Sequence, residues 1–280
     1  LHSLYIVGPG PLRAAARTVR RYRSSTIVQT VRLRAGAKRI DFVTDVDWHE
    51  THTLLRVAFP VAVHSPRASY EIQWGVVERP THANTTWDYA RFEAPAHKWA
   101  DLSEGDYGVA LLNDGKYGHH VQGNTLRLSL IKSATMPDPG ADQGPHRFTY
   151  ALLPHAGGRD EVPSEAYDLN HPVVVAEATA TGSADRPAAM PTAAFVHCDR
   201  PNVIIETIKP AEDANGFIIR LFEAGGCRGA LNLTFLQRLA RVARCDLLEQ
   251  DEAELDVAGQ RVALSVTPFE IVTLRCVPAG

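Results

Sequence analysis

Alternation with a period of two runs through most of this chain, and it restricts the fold to sheets packed on sheets. Ile40, Phe42, Val46 and Trp48 share one phase, with Asp41, Asp45 and Asp47 in the other. Leu55, Val57, Phe59 and Val61 form a second run, and Tyr70, Ile72, Trp74 and Val76 a third. Tyr107, Val109 and Leu111 alternate, as do Leu126, Leu128 and Leu130, then Phe148, Tyr150 and Leu152. Turn signals separate the runs at Ser65-Pro66, Gly105-Asp106, Gly115, Gly123-Asn124 and Pro137-Asp138-Pro139-Gly140. Many strands at short spacing, without intervening helices, predict an all-β protein of stacked sheets. Arg13 to Tyr22 and the stretch 236–244 fit a strand or a helix equally well.

The pattern changes at 178–194, where Thr179 to Pro187 is small, polar and broken by Gly and Pro, as in a linker or long surface loop. Alternation resumes at Val203 and Ile205, then Phe217, Ile219 and Leu221, then Leu231, Leu233 and Phe235, and finally Phe269, Ile271 and Thr273. The chain therefore divides into a large β domain, 1–190, and a small one, 191–280. A hydrophobic fraction of 45% over 280 residues supplies a real core for this division.

Charge narrows the function classes. A formal net charge of −3 gives no general electrostatic case for nucleic acid, and the cluster Arg13, Arg17, Arg20, Arg21 and Arg23 reads as a solvated face. No apolar stretch approaches a membrane span. The four cysteines, Cys198, Cys227, Cys245 and Cys276, form no CxxC pair, which argues against a zinc knuckle and for free thiols in a reducing cytoplasm. The chain starts at Leu1 without an initiator Met or a signal-peptide pattern, from which we expect a stretch of a longer polypeptide.

Two segments concentrate directional chemistry. The first runs from Trp74 to Trp99 and sets Trp74, Trp87 and Trp99 among Glu78, Arg79, His82, Asn84 and Asp88. Aromatic faces beside carboxylates, amides and imidazoles suit sugars, which stack through C–H faces and need donors and acceptors for hydroxyls. The bland alternative is aromatic core with polar groups holding a long loop. The second is Asn113-Asp114-Gly115-Lys116-Tyr117-Gly118-His119-His120, whose glycines permit tight turns that project Asp114, Lys116 and Tyr117 from a loop tip. An ordinary hairpin turn fits this stretch equally well. Asp47-Trp48-His49-Glu50-Thr51-His52 resembles a metal or acid–base site, yet residues three apart on a strand face opposite ways, so one metal needs a sharp turn between His49 and His52. No HExxH, GxSxG, P-loop or GxGxxG spacing is present.

Longer stretches of the sequence form a recognisable series. They include Gly10-Pro11-Leu12-Arg13-Ala14, Asp47-Trp48-His49-Glu50, Gly75 to His82, Asn84-Thr85 and Trp87-Asp88. Phe92 to Ser103, Tyr107 to Asp114, Lys116-Tyr117-Gly118, Asn124 to Leu130, Pro137-Asp138-Pro139 and Phe148 to Leu152 continue the series. Arg220 to Ala224 and Pro268 to Leu274 extend it into the small domain. Taken together, these stretches resemble the C-terminal half of the α-mannosidases of glycoside hydrolase family 38, of the cytosolic and bacterial type.

The resemblance implies a large β-supersandwich of galactose-mutarotase type followed by a small β-sandwich. It implies that the parent enzyme hydrolyses terminal α-linked mannose with retention. The nucleophile, the acid–base residue and a divalent metal, zinc or cobalt, then belong to an N-terminal catalytic domain that this chain lacks. No catalytic residue, metal ligand or cofactor is expected here. The expected partners are that N-terminal domain and a mannose-containing oligosaccharide, with no nucleic acid or membrane, and with subunit contacts available to either sandwich. The family brings a basic residue from a large-sandwich loop to the substrate, and Lys116 matches it best, flanked by Asn113, Asp114 and Tyr117 as further substrate-binding positions. Gly115 stands where the family commonly has cysteine, which we expect to loosen the loop. Trp87, His82, Asn84 and Trp99 are expected at the interface with the catalytic domain or facing sugar. Two alternatives stay open: a stand-alone carbohydrate-binding sandwich, and a mutarotase-like epimerase using a His and a Glu on one open face, against which the adjacency of His49 and Glu50 counts.

Overall fold

A computed structural model describes residues 1–8, 10–175 and 193–280. They form two compact units, Leu1–Asn170 and His171–Gly280. The domain boundary expected at 190/191 lies outside the described residues.

In the first unit the strands are β1 (Ser3–Val7), β2 (Arg13–Tyr22), β3 (Ser25–Arg34), β4 (Ile40–Trp48), β5 (Leu55–Pro60), β6 (Arg67–Ile72) and β7 (Gly75–Pro80). A one-turn helix α1 (Thr86–Tyr89) precedes β8 (Ala94–Pro95), β9 (Trp99–Ser103), β10 (Tyr107–Asn113), β11 (Gly118–Gln122), β12 (Thr125–Ile131) and β13 (Gly144–Ala156), and α2 (Val162–Asn170) closes the unit. Nine strands form one sheet in the order β1-β2-β3-β4-β13-β10-β9-β6-β7, and four form a second, β5-β12-β11-β8. The all-β, stacked-sheet architecture follows from the alternation. Leu102, Val109, Leu111, Leu126, Leu128, Phe148 and Tyr150 meet in one core, with Phe42, Val57 and Phe59 packed against it. Truncating one of the buried leucines here should cost about 2–5 kcal/mol.

The nine-stranded sheet is buried on its other face too. Helix α2 lays Val162 and Ala166 onto Trp99, Ala110, Leu112, Ala151 and Leu153. This second layer explains why β10 reads as a continuous apolar run rather than a clean alternation.

The second unit pairs a four-stranded sheet, ordered Val196–Cys198, Gly229–Phe235, Arg261–Val266, Val257–Ala258, with a five-stranded sheet. The latter runs Val203–Pro210, Phe217–Glu223, Ile271–Pro278, Leu239–Cys245, Asp251–Leu255. Val203, Ile219, Leu221, Leu231, Leu233, Val272, Leu274 and Cys276 share its core.

Three local expectations change. Both ambiguous stretches are mainly strand: Arg13–Tyr22 as β2, with its four arginines and the following Arg23 exposed, and Leu239–Cys245. The run Tyr70, Ile72, Trp74, Val76 is two strands, because a tight turn at Gln73-Trp74 pairs Ile72 with Gly75. Trp74 sits there at φ 49, so Val76 packs in the outer layer while Tyr70 packs in the inner one. In the last strand the inward phase is Val272, Leu274 and Cys276, because Phe269 lies in the preceding turn at φ 59 and Ile271 is exposed.

Candidate functional site

The loop from Asn113 to Gly118 crosses from the large sheet to the small one, and a single side chain shapes it. Asn113 Oδ1 accepts the backbone N–H groups of Gly115 (2.9 Å) and Lys116 (2.7 Å). Its Nδ2 donates to the His97 carbonyl (2.8 Å) and lies 3.2 Å from His119 Nε2. Asn113 is fully buried with both ends of its amide engaged. The expectation that it contacts substrate is corrected: it is the strut beneath the loop, placed there because β10 ends with this side chain pointing inward.

Its neighbours are outside. Asp114 clamps the loop to β13, donating its backbone N–H to the Thr149 carbonyl (3.1 Å) and accepting the Thr149 N–H on its carboxylate (2.8 Å). Lys116 Nζ sits 4.9 Å from the Phe148 ring centroid, a cation–π contact. Tyr117 is exposed, with its ring 5.6 Å from that of His97. Gly115 takes φ +144, where a side chain is strained even though a Cβ would meet open space. The loop is thus held at several points despite the glycine.

The segment after β7 divides in the same way. Thr85 caps α1, its hydroxyl accepting the Asp88 N–H (3.1 Å) and donating to the Asp88 carboxylate (2.9 Å). His82 Nδ1 lies 3.7 Å from that carboxylate, and both His82 and Asn84 are exposed. Trp87 is 78% exposed, with Tyr89 and Phe92, themselves edge-to-face at 6.0 Å, exposed beside it in sequence. Trp99 is corrected: at 1% exposure it fills the layer under α2, where β9 directs it away from the inner core. It cannot face sugar or a neighbouring domain.

Between α1 and the edge of β11 lies a recess walled by Tyr70, Arg79, His82, Asp88, Arg91 and His119, with His120 at its side. Burial drives the His119 pKa down to about 3, so the ring is neutral. The His120 imidazole is also lowered, by burial first and then by Arg127 and Arg56. Sequence reasoning quoted His119 and His120 only as the end of the loop; the available signal was that His119 shares its phase with buried Val121 on β11.

A further polar cluster was not anticipated. His155 Nε2 meets the Asp101 carboxylate at 2.8 Å, Ser103 donates to the same carboxylate (2.6 Å), and His155 Nδ1 faces the Gly157 and Gly158 carbonyls. Burial opposes charge on His155, yet Asp101 and the two carbonyls raise its pKa above the ordinary value. Gly108 passes so close that a Cβ there would lie 2.2 Å from Ser103 Oγ. This closed, buried group braces strands and offers no approach to substrate.

The Asp47–His52 stretch does turn sharply after β4, with His52 at φ 50. Glu50 is buried and accepts Ser24 N–H (3.0 Å) and Ser25 Oγ–H (2.8 Å), while exposed His49 pairs with Asp47 (2.9 Å). A carboxylate committed in this way is unavailable for a mutarotase-like proton transfer. Among the described residues no three His, Cys, Asp or Glu side chains are grouped to hold a metal ion. All four cysteines are free, and no described helix is long and apolar enough to cross a membrane.

A two-sheet β-sandwich of thirteen strands followed in sequence by a smaller sandwich of nine defines an all-β protein of two sandwich units. The model of the glycosyl hydrolases family 38 C-terminal domain matches residues 2–140, and that of the family's C-terminal beta sandwich domain matches residues 202–274. The chain belongs to glycosyl hydrolase family 38, as part of its C-terminal region. Alpha-mannosidase 2C1 of Mus musculus is 42% identical over 261 residues, which cover 91% of this chain and 24% of that protein. Alpha-mannosidase G of Dictyostelium discoideum is 37% identical over 288 residues, covering 96% and 26%. The crystal structure of an alpha-mannosidase from Enterococcus faecalis V583 superposes with TM-score 0.80 at 18% identity, over 98% of this chain and 34% of that one, and so shares the fold. The chain spans about a quarter of the length of these curated relatives.

Proposed function

We propose that this chain is the non-catalytic β portion of an α-mannosidase that removes terminal α-linked mannose from oligosaccharides. The observation that carries this reading is the 42% identity to Alpha-mannosidase 2C1 over nine-tenths of the chain. In this reading the nucleophile, the acid–base residue and the divalent metal, zinc or cobalt, are held by the remaining polypeptide. Lys116, presented beside Asp114 and Tyr117 on a loop tied down by Asn113, reaches the sugar and orients its hydroxyls. The exposed Trp87, with His82 and Asn84 on the same segment, packs against the catalytic portion. The enzyme works in the cytoplasm, which four free cysteines support.

The test is hydrolysis of a chromogenic α-mannoside by this chain alone, with and without zinc or cobalt, and then after adding the N-terminal portion of the parent enzyme. The expected result is no activity alone and metal-dependent activity on mixing. Metal-dependent activity from these 280 residues by themselves would overturn the assignment. A second reading, a mannoside-binding module, draws on the exposed Trp87, Tyr89 and Phe92. Saturable binding of a manno-oligosaccharide by the chain, abolished by Trp87→Ala, would favour it.

A further inference from the structure

The recess beside α1 holds buried hydrogen-bond donors that lack partners, and the tautomer of its most buried member follows from bonding alone. Two backbone N–H groups, of Gly115 and Lys116, point at one terminal atom of Asn113, so that atom is the oxygen. The other terminal atom is therefore the NH2 group, whose hydrogens go to the His97 carbonyl and to His119 Nε2. Nε2 must then be the acceptor of a neutral ring, and Nδ1 carries the proton. That Nδ1–H is buried and has no partner, although the ring is 0% exposed. An unmet buried donor costs about 1–3 kcal/mol unless something accepts from it.

The rest of the wall has the same character. Arg79 Nε is a second buried donor without a partner, and His120 Nδ1, donor or acceptor according to its tautomer, is also buried and unpaired. Arg79 rests over the Tyr70 ring at 5.7 Å, and no described carboxylate pairs with it or with the exposed Arg91. Tyr70 takes the Val121 backbone N–H on its oxygen, which leaves its own proton to donate. The single acid of the wall, Asp88, is engaged by the Thr85 hydroxyl and lies next to His82. A sugar hydroxyl must give as well as accept hydrogen bonds, and the buried groups His119, Arg79 and Tyr70 have only donors to offer it. A ligand that only accepts, carries negative charge and turns several oxygens outward meets the whole set.

We propose that the recess bounded by Arg79, Arg91, His119 and Tyr70 binds a small tetrahedral oxyanion, phosphate or sulfate. The inference stands on these contacts and is independent of the mannosidase reading.

Inorganic phosphate and sodium sulfate are titrated into the 280-residue chain against sodium chloride at matched ionic strength, reading the melting temperature and the 15N-edited side-chain resonances of the histidines. The expected result is a saturable rise in melting temperature with phosphate and sulfate but not chloride, together with a shift of the His119 Nδ1–H resonance. Arg79→Met should weaken the apparent affinity about ten- to a hundred-fold, the range for a lost charge-assisted bond. Arg91→Ala, at the exposed rim and away from the core, guards against an Arg79 variant that fails to fold, and should weaken binding as well. No difference between phosphate, sulfate and chloride would overturn the proposal. So would equal affinity in the wild type and a folded Arg91→Ala together with an unmoved His119 resonance.

Discussion

His119 ties the loop to the recess, and its protonation has a calculable effect on stability. Burial lowers its pKa to about 3 from the ordinary 6.5. Between these values the unfolded chain holds a proton that the folded chain does not, so stability falls as the pH falls through that window. The slope approaches about 1.4 kcal/mol per pH unit, or roughly 2–3 kcal/mol lost by pH 4.5. His155 has the opposite sign: its raised folded pKa gives a contribution that is full below the ordinary histidine value and is lost as pH rises through the folded one. The two are separated by substitution. The difference in unfolding free energy between wild type and His119→Gln should shrink by about 2–3 kcal/mol between pH 6.5 and 4.5, and parallel curves would refute the neutral, buried imidazole. Lys116 calls for a different readout, because its ammonium rests on the Phe148 face, with the Asp142 carboxylate near enough to feel its charge. Lys116→Ala should leave the melting temperature within a degree or two. In the intact enzyme it should raise KM or lower kcat about ten-fold, the scale of one charged hydrogen bond to substrate. Unchanged kinetics would remove Lys116 from the sugar site.

At the scale of elements, two tryptophans from one segment separate structure from surface. Trp99 on β9 is clamped between the large sheet and α2, so Trp99→Ala should cost about 3–5 kcal/mol in denaturant titration. Trp87 on α1 buries little in this chain, so Trp87→Ala should stay within about 0.5 kcal/mol. Its effect should appear instead as weaker association with the catalytic portion. The sequence could not distinguish these two, because an indole beside polar residues looks the same whether a helix covers it or not. Strands β4 and β13 of the large sheet and β12 of the small one were legible because each turns an alternating apolar face to the opposing sheet, whereas β10, covered by α2 on its other face, reads as a nearly continuous apolar run. The turn at Gln73-Trp74 was not, since Trp74 adopts a positive φ that gives no Gly or Asn signal. Lys116, Asp114 and Tyr117 were legible as a projecting loop tip from the flanking glycines. Asn113 was misread because an amide at a strand end serves equally as strut or ligand, and only three-dimensional bonding decides. The Asp101–His155 pair was invisible, its partners lying far apart in the chain and meeting only across β9, β10 and β13.

At the scale of the whole molecule, each unit has a core of its own. The inner core of the first unit draws on both of its sheets and its outer layer on α2, while the second unit's core is drawn from Val196 onward. Each unit also has polar ties of its own: Asn170 closes the first by donating to the Asn113 carbonyl (2.9 Å), and Glu223 closes a loop of the second by accepting from Asn202, Gly225, Gly226 and Phe269. Chains comprising 1–175 and 193–280 should therefore each unfold in a single cooperative transition when produced apart. The shorter should be the less stable, because a small domain buries a smaller fraction of its surface. Near-ultraviolet circular dichroism against temperature reads this directly. A sigmoidal loss of aromatic signal in both would establish that the β region is two folding units joined in one chain. A featureless signal from 193–280 alone would mean that its core needs the larger sandwich to hold its packing.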